Sequence, residues 1–256
     1  MHNLNNINLY NILHSSIKEI TIDQPIRIKY FYSFIGNISK KKLLDVGCGQ
    51  GYFLSQIKHS WTSGLDVVQH SPFIKISNYI CGDGRRLPLK NSSLDVVTCF
   101  DIIEHFNPTD LKKLLNEAKR VLKNNGRLYI STPNKYSIFR VIIDAIKDNQ
   151  FIRQIIGRPL YNEKFIQHIK VYSFNELLNL FHSNGFEVSR HNKMSIGFSK
   201  LLIPFFYQGR FQIKFFYPLF IKIFYFDWKI GKRLQNVRNI HFDYIFELKI
   251  KSSQNV

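Results

Sequence analysis

The sequence predicts an α/β fold, a doubly wound parallel sheet with helices on both faces. Three observations carry that prediction. Short apolar runs alternate with helical stretches between residues 42 and 133. The first run ends in three glycines at every second position, Gly47, Gly49 and Gly51, with Asp45 just before them. Acids then close the next two runs, Asp66 and Asp83. Strands alternating with helices require right-handed crossovers and hence a parallel sheet.

The elements follow in order. Residues 1–40 form an N-terminal helical segment whose boundaries are blurred by Pro25. KLLDVGCG reads as a buried strand ending in glycine, and residues 51–58 as a short helix. SGLDVV (63–68), YICGDG (79–84) and LDVVTCFDII (94–103) are the second, third and fourth strands. The second crossover is short and holds Pro72, so its helix is absent or distorted. Residues 107–126 give the clearest helix: Pro108 suits the first turn, Leu111, Leu114, Leu115, Ala118, Val121 and Leu122 make one stripe, and Gly126 is placed as its stop. RLYIST (127–132) is the fifth strand. Residues 173–185 form a helix with Ser173 and Glu176 as a capping box and Gly185 as its end. Residues 186–194 and 241–250 alternate as strands. Two stretches stand outside this scheme, 134–172 and 195–240.

Composition narrows the class of partner. The 256 residues suffice for one α/β domain with insertions. The formal net charge is +18, with 17 Lys and Arg against 10 Asp and Glu in residues 1–133 and 19 against 8 in the rest. Such an excess suits nucleic acid, anionic lipid or acidic substrates, or is no more than compositional drift. Cys48, Cys81 and Cys99 have no metal-ligand spacing and are expected as buried free thiols of a reducing, cytoplasmic compartment. The N-terminus has no basic region followed by an apolar one, so no signal peptide is expected.

At the carboxyl end of a first parallel strand, glycine permits positive φ and lets a ligand approach the backbone. The spacing is GxGxG rather than the dinucleotide GxGxxG. Asp66 is placed to accept from both hydroxyls of a ribose, and Asp83 from an exocyclic adenine amine. Each acid taken singly is equally a turn former or helix cap. Their order and spacing favour a nucleoside pocket.

Together these residues resemble the class I S-adenosylmethionine-dependent methyltransferases, in particular the broad group that includes the quinone-biosynthesis enzymes. LLDVGCGQG is similar to their first motif, GLDVV to the acidic second strand, GDGRRLPLKNSSLDVV to the third-strand acid and fourth strand, and EAKRVLKNNGRLYISTPN to the helix and fifth strand. The match spans about residues 40–134, with echoes at 168–190 and 241–250. The resemblance implies one Rossmann-like domain over 1–256, with a seven-stranded sheet in the order 3-2-1-4-5-7-6 and strand seven antiparallel. It implies S-adenosylmethionine as cofactor, bound at Asp45, Gly47, Gly49, Gly51, Asp66, Asp83, Gly84 and Phe100. Gly47 and Gly49 would approach the methionine part, Asp66 the ribose, and Asp83 with Gly84 the adenine. The shortened segment after Asp66 departs from the pattern.

Methyl transfer from a sulfonium needs alignment above all, and an oxygen nucleophile gains from a base or a metal. DIIEHF supplies Asp101, Glu104 and His105, which resemble the acid-x-x-Glu-His element of metal-binding ubiquinone-pathway and small-RNA O-methyltransferases. Relatives also carry Glu-His without a metal, and no metal is assigned here. His105 and His168 are the candidate catalytic residues, each alternatively a loop histidine. Segment 134–172 reads as a helical cap over the acceptor, shaped by Tyr136, Arg158 and Tyr161.

Residues 198–228 hold 13 aromatics interrupted by Lys200, Arg210, Lys214 and Lys222. The longest uncharged stretch, 201–209, is far below the ~18 residues of a spanning helix. It reads as a pocket lid, a peripheral contact of 198–233 with an anionic membrane, or a dimer surface. The expected function is methylation, at oxygen by resemblance, of a small or lipid-linked acceptor. RNA 2′-O-methylation and a non-catalytic cofactor-binding subunit of a membrane-associated assembly are the alternatives.

Overall fold

A computed structural model describes residues 24–57, 61–68, 78–142, 168–195, 213–237 and 240–252, with backbone only for 24–26, 213–221 and 224. The expectations for 1–23, for the second crossover at 69–77, for most of the cap (143–167, with Arg158 and Tyr161) and for the start of the insertion (196–212) lie outside the described residues.

The chain runs α1 (Gln24–Ile35), β1 (Lys42–Val46), α2 (Tyr52–Ser55), β2 (Trp61–Asp66), β3 (Tyr79–Cys81), β4 (Leu94–Phe100), a 3₁₀ turn (Ile103–His105), α3 (Pro108–Val121), β5 (Leu122–Pro133), α4 (Phe174–Ser183), β6 (Phe186–Lys193), α5 (Ile213–Arg233) and β7 (Asp243–Ile250). The seven strands form one sheet in the order β3-β2-β1-β4-β5-β7-β6. Pairs among β1 to β5 are parallel, and β7 runs antiparallel to both β5 and β6. The predicted order and orientation hold.

The sheet is apolar on both faces because alternate residues point to opposite sides. Leu44, Val97, Leu128 and Phe246 pack with the inner stripe of α3 and with Leu177 and Phe181 of α4. Leu43, Val96, Tyr129 and Ile245 pack on the other face, with Tyr30, Phe31 and Phe34 of α1 and Phe53 of α2. β6 at one edge is largely exposed.

Local chemistry fixes the helix ends. In α3 the Asn107 side chain accepts from the Asp110 amide at 2.9 Å, and Pro108 follows in the first turn, where its missing N–H costs nothing. The helix ends at Val121, earlier than predicted. Leu122 turns extended, with φ −70° and ψ 140°, and pairs with Leu94 in the sheet. Gly126 is therefore not a helix stop. It lies within β5, where a Cβ would come 2.8 Å from Leu122 Cδ2. Ser173 and Glu176 do form the reciprocal capping box of α4, and Gly185 leaves it at φ 80°. The insertion holds an element not foreseen, the 21-residue helix α5. Cys48 and Cys99 are buried, but Cys81 is exposed because β3 is an edge strand.

Candidate active site

The site lies at the carboxyl ends of β1, β2 and β4. Gly47, Gly49 and Gly51 all have positive φ, at 74°, 50° and 75°. The bend lets the Gly47 and Cys48 amides both donate to the Leu65 carbonyl, at 2.7 and 3.2 Å, which ties the loop to β2. The first two glycines are needed for different reasons. A Cβ on Gly47 would sit 2.2 Å from Ile102 Cδ1, so this position is filled from inside the protein. Among the described residues, a Cβ on Gly49 would meet nothing within 4 Å. Gly49 therefore borders open space, which suits a ligand against the backbone. Gly51 caps the single turn of α2.

Asp66 is buried and holds the loop. Its Oδ2 accepts from the Gly49 amide at 2.8 Å and its Oδ1 from the Val68 amide at 3.1 Å. Each oxygen keeps a further lone pair, so the carboxylate can also accept from a diol. Asp45 lies beneath the loop, 4% exposed, and accepts from Thr98 Oγ1 at 2.6 Å. Burial pushes its carboxyl up to about 7, and the nearby Asp66 adds to the rise. This makes Asp45 a support for the loop from below.

Gly82 donates to the Asp66 carbonyl at 2.8 Å, which brings Asp83 next to the loop. Its carboxylate is engaged by Arg85, whose backbone and guanidinium both donate to it. Burial would raise Asp83, but these Arg85 contacts outweigh it and hold the carboxyl below its usual range. A Cβ on Gly84 would come 2.9 Å from Val46 and 3.0 Å from Leu114, so packing alone accounts for this glycine. Phe100 ends β4, stacked on Phe31 of α1 at 4.1 Å and edge-on to Phe53 at 5.0 Å. Helix α1 thus leans over the end of β4. Its Arg27 also pairs with Asp101, a residue held at φ 52° whose carboxylate accepts from Ser131 Oγ at 2.9 Å.

The 3₁₀ turn builds a second cluster. Glu104 is 1% exposed, and its Oε2 accepts from Thr132 Oγ1 at 3.1 Å. Its main-chain oxygen accepts from the amides of Ile169 and Lys170, at 2.8 and 3.1 Å. Those bonds draw His168 to His105, with ring centroids 5.2 Å apart. One donor atom each from Glu104, His105 and His168 lies within 4.8 Å of the others. Burial first, and then the charge of Asp101, pushes the Glu104 carboxyl up to about 8. A cation beside it would remove that penalty. One carboxylate and two imidazoles are a divalent-metal donor set with positions left open. The sequence expectation grouped Asp101 with Glu104 and His105. The structure turns Asp101 to Arg27 and supplies His168 instead, which only a fold could reveal across more than 60 intervening positions.

This loop, the acid that ends β2 and the sheet order define a class. The family model described as "Methyltransferase domain" matches residues 25–191, and the chain belongs to that family. Its cofactor is S-adenosylmethionine. The open side of Gly49 beside the Asp66 carboxylate fits such a nucleoside. An uncharacterised protein of Methanocaldococcus jannaschii is 36% identical over 100 residues, covering 38% of this chain and 43% of that protein. The ubiquinone biosynthesis O-methyltransferase of Coxiella burnetii is 28% identical over 157 residues, covering 57% and 65%. The chain thus spans less than two thirds of the length of these relatives. A SAM-dependent methyltransferase from Archaeoglobus fulgidus has the same fold, with a TM-score of 0.56 and 17% identity over 89% of this chain and 94% of that one.

Proposed function

We propose that the chain moves the methyl group of S-adenosylmethionine to an oxygen of a small or lipid-linked acceptor, with a divalent cation held by Glu104, His105 and His168. The observation that carries the reading is the convergence of those three side chains within 4.8 Å, at the end of β4. The Coxiella relative's name, an O-methyltransferase, supports oxygen as the acceptor atom.

The chemistry is an in-line displacement. A carbon–oxygen bond forms as the carbon–sulfur bond breaks, S-adenosylhomocysteine leaves, and the acceptor hydroxyl gives its proton to water. The work of the protein is alignment. Gly49 and Asp66 orient the donor, and Asp45 with Thr98 keeps the loop from collapsing. Thr132 fixes the Glu104 carboxylate, and the Ile169 and Lys170 amides fix the turn that carries it. When bound, the cation would acidify a hydroxyl that it ligates. Ile169 follows His168, and Tyr136, Ile138 and Val141 lie just past Lys135, whose amide donates to the Tyr172 carbonyl; all four are exposed, which favours an acceptor with an apolar part. An anionic lipid surface as the place of work accords with the net charge of +18.

The test is methyl transfer to a pool of phenolic and lipid-extract acceptors, with chelator and with added Mg²⁺, Mn²⁺ or Zn²⁺. Chelation should abolish transfer and metal should restore it. Glu104→Gln and His168→Ala should lose metal binding while S-adenosylhomocysteine still binds. Transfer untouched by chelator would overturn the metal and leave His105 as the candidate general base. Cofactor binding with no product from any pool would favour the non-catalytic subunit. Product on RNA alone would replace the acceptor class.

A further inference from the structure

The outer face of α5 has no role in the site, yet it is organised. On a helix each residue advances about 100°. Lys222, Tyr225, Phe226, Lys229, Lys232 and Arg233 then fall within an arc of about 120°. All six are exposed, Tyr225 at 49% and Phe226 at 61%. The opposite face holds Ile223, Asp227, Ile230, Gly231 and Leu234, which are buried or half-buried. Asp227 is the sole acid in the helix, is 1% exposed, and points inward. The exposed stripe therefore carries four cations, two aromatics and no carboxylate.

The face is rigidly mounted. Trp228 packs edge-on against Tyr30 of α1 at 5.8 Å. The Gly231 carbonyl accepts from Gln235 Nε2 at 3.0 Å and from His241 Nε2 at 2.8 Å. Gln235 in turn accepts from the Lys193 amide of β6 at 3.0 Å. The same α1 that meets Trp228 presents Arg27 to Asp101 and Phe31 to Phe100. One helix thus separates the stripe from the mouth of the site. Among the described residues no helix is long and apolar enough to cross a membrane.

We infer that this stripe of α5 is a docking face for an anionic lipid surface, with Tyr225 and Phe226 entering the headgroup region and Lys222, Lys229, Lys232 and Arg233 pairing with lipid phosphates. Charge complementarity decides the occupant. A stripe of four cations without an acid repels a second copy of itself, whereas an anionic bilayer satisfies both the cations and the aromatics. Phe in place of a spread of stacking rings and hydrogen-bonding side chains favours lipid over a nucleic-acid strand. Docking would orient the α1 side of the site toward the lipid. That consequence rests on the reading of an amphiphilic acceptor; the docking does not.

The test uses the full chain and sedimentation with vesicles of phosphatidylcholine alone or mixed with phosphatidylglycerol. The wild type should sediment with the anionic vesicles only, and less so as salt rises. The pair Lys229→Gln and Lys232→Gln should weaken binding about 30-fold, at roughly fivefold per cation. Phe226→Ser should weaken it on the order of tenfold. The charge-matched pair Lys41→Gln and Lys112→Gln, on exposed positions elsewhere, should bind within about twofold of wild type. All variants should keep their thermal midpoint and S-adenosylhomocysteine affinity, which separates failure of this face from failure of the methyltransferase reading. A wild type that never sediments, or α5 variants that bind like wild type, would overturn the inference. So would binding to a single-stranded RNA oligonucleotide, abolished by the α5 variants, without binding to vesicles.

Discussion

Two glycines two positions apart should respond differently to the same methyl group, one mainly in stability and the other mainly in binding. In Gly47→Ala the new Cβ meets Ile102 at 2.2 Å from Cδ1, 3.0 Å from Cγ1 and 3.3 Å from Cβ. Isoleucine is stiff about χ1, so the whole side chain must move. Overpacking of this kind costs about 1–3 kcal/mol. The φ of 74° adds about 1–2 kcal/mol for an L-residue. At about 2–4 °C per kcal/mol for a chain of this length, the midpoint should fall on the order of 10 °C. In Gly49→Ala only the backbone cost of about 1–2 kcal/mol applies, because no described residue lies within 4 Å. Its methyl, however, points into the space assigned to the donor. S-adenosylhomocysteine should then bind at least about tenfold more weakly, a loss of about 1.4 kcal/mol. Thermal melting and titration calorimetry measure the two effects. A folded Gly49→Ala that binds as tightly as wild type would refute the assignment of that space. Equal destabilisation by both substitutions would refute the role given to Ile102.

Other consequences are open to measurement. Folding raises Asp45 from 3.8 to about 7, so the folded state binds the extra proton and stability falls as pH rises through 7. Asp45→Asn, which keeps an oxygen for Thr98, should gain up to about 4 kcal/mol on wild type at pH 8 and nothing near pH 4, by urea unfolding across pH; a gain that grows toward low pH would contradict this. Ser173→Ala removes one side of the α4 capping box and should cost about 1 kcal/mol in the same assay. An unchanged unfolding midpoint would show that the box contributes nothing.

Most of the sheet was legible because most of its buried strands are short apolar runs bounded by glycine, proline or acid. The capping box of α4 was legible because it is a local device, closed within four residues. The glycine loop and Asp66 were legible because their spacing ties two neighbouring strand ends. Long-range facts were not. Leu122 continues the apolar stripe of α3, and only Leu94 in another strand decides that it is extended. Gly84 resembles a ligand contact, but Val46 and Leu114 already require it. The stack of Phe31, Phe53 and Phe100 joins three distant segments. The union of His168 with Glu104 and His105 depends on two backbone N–H groups donating to one carbonyl, which leaves no trace in side-chain spacing. Helix α5 was masked by its density of aromatics and by Pro218; the repeat of exposed cations at 222, 229 and 233 was the available signal.

The most direct test is a crystal structure of the chain with S-adenosylhomocysteine. We predict the nucleoside against the open side of Gly49, with its ribose hydroxyls in hydrogen-bonding reach of Asp66. Density for the compound anywhere else, with that space filled by the chain's own side chains, would contradict the account.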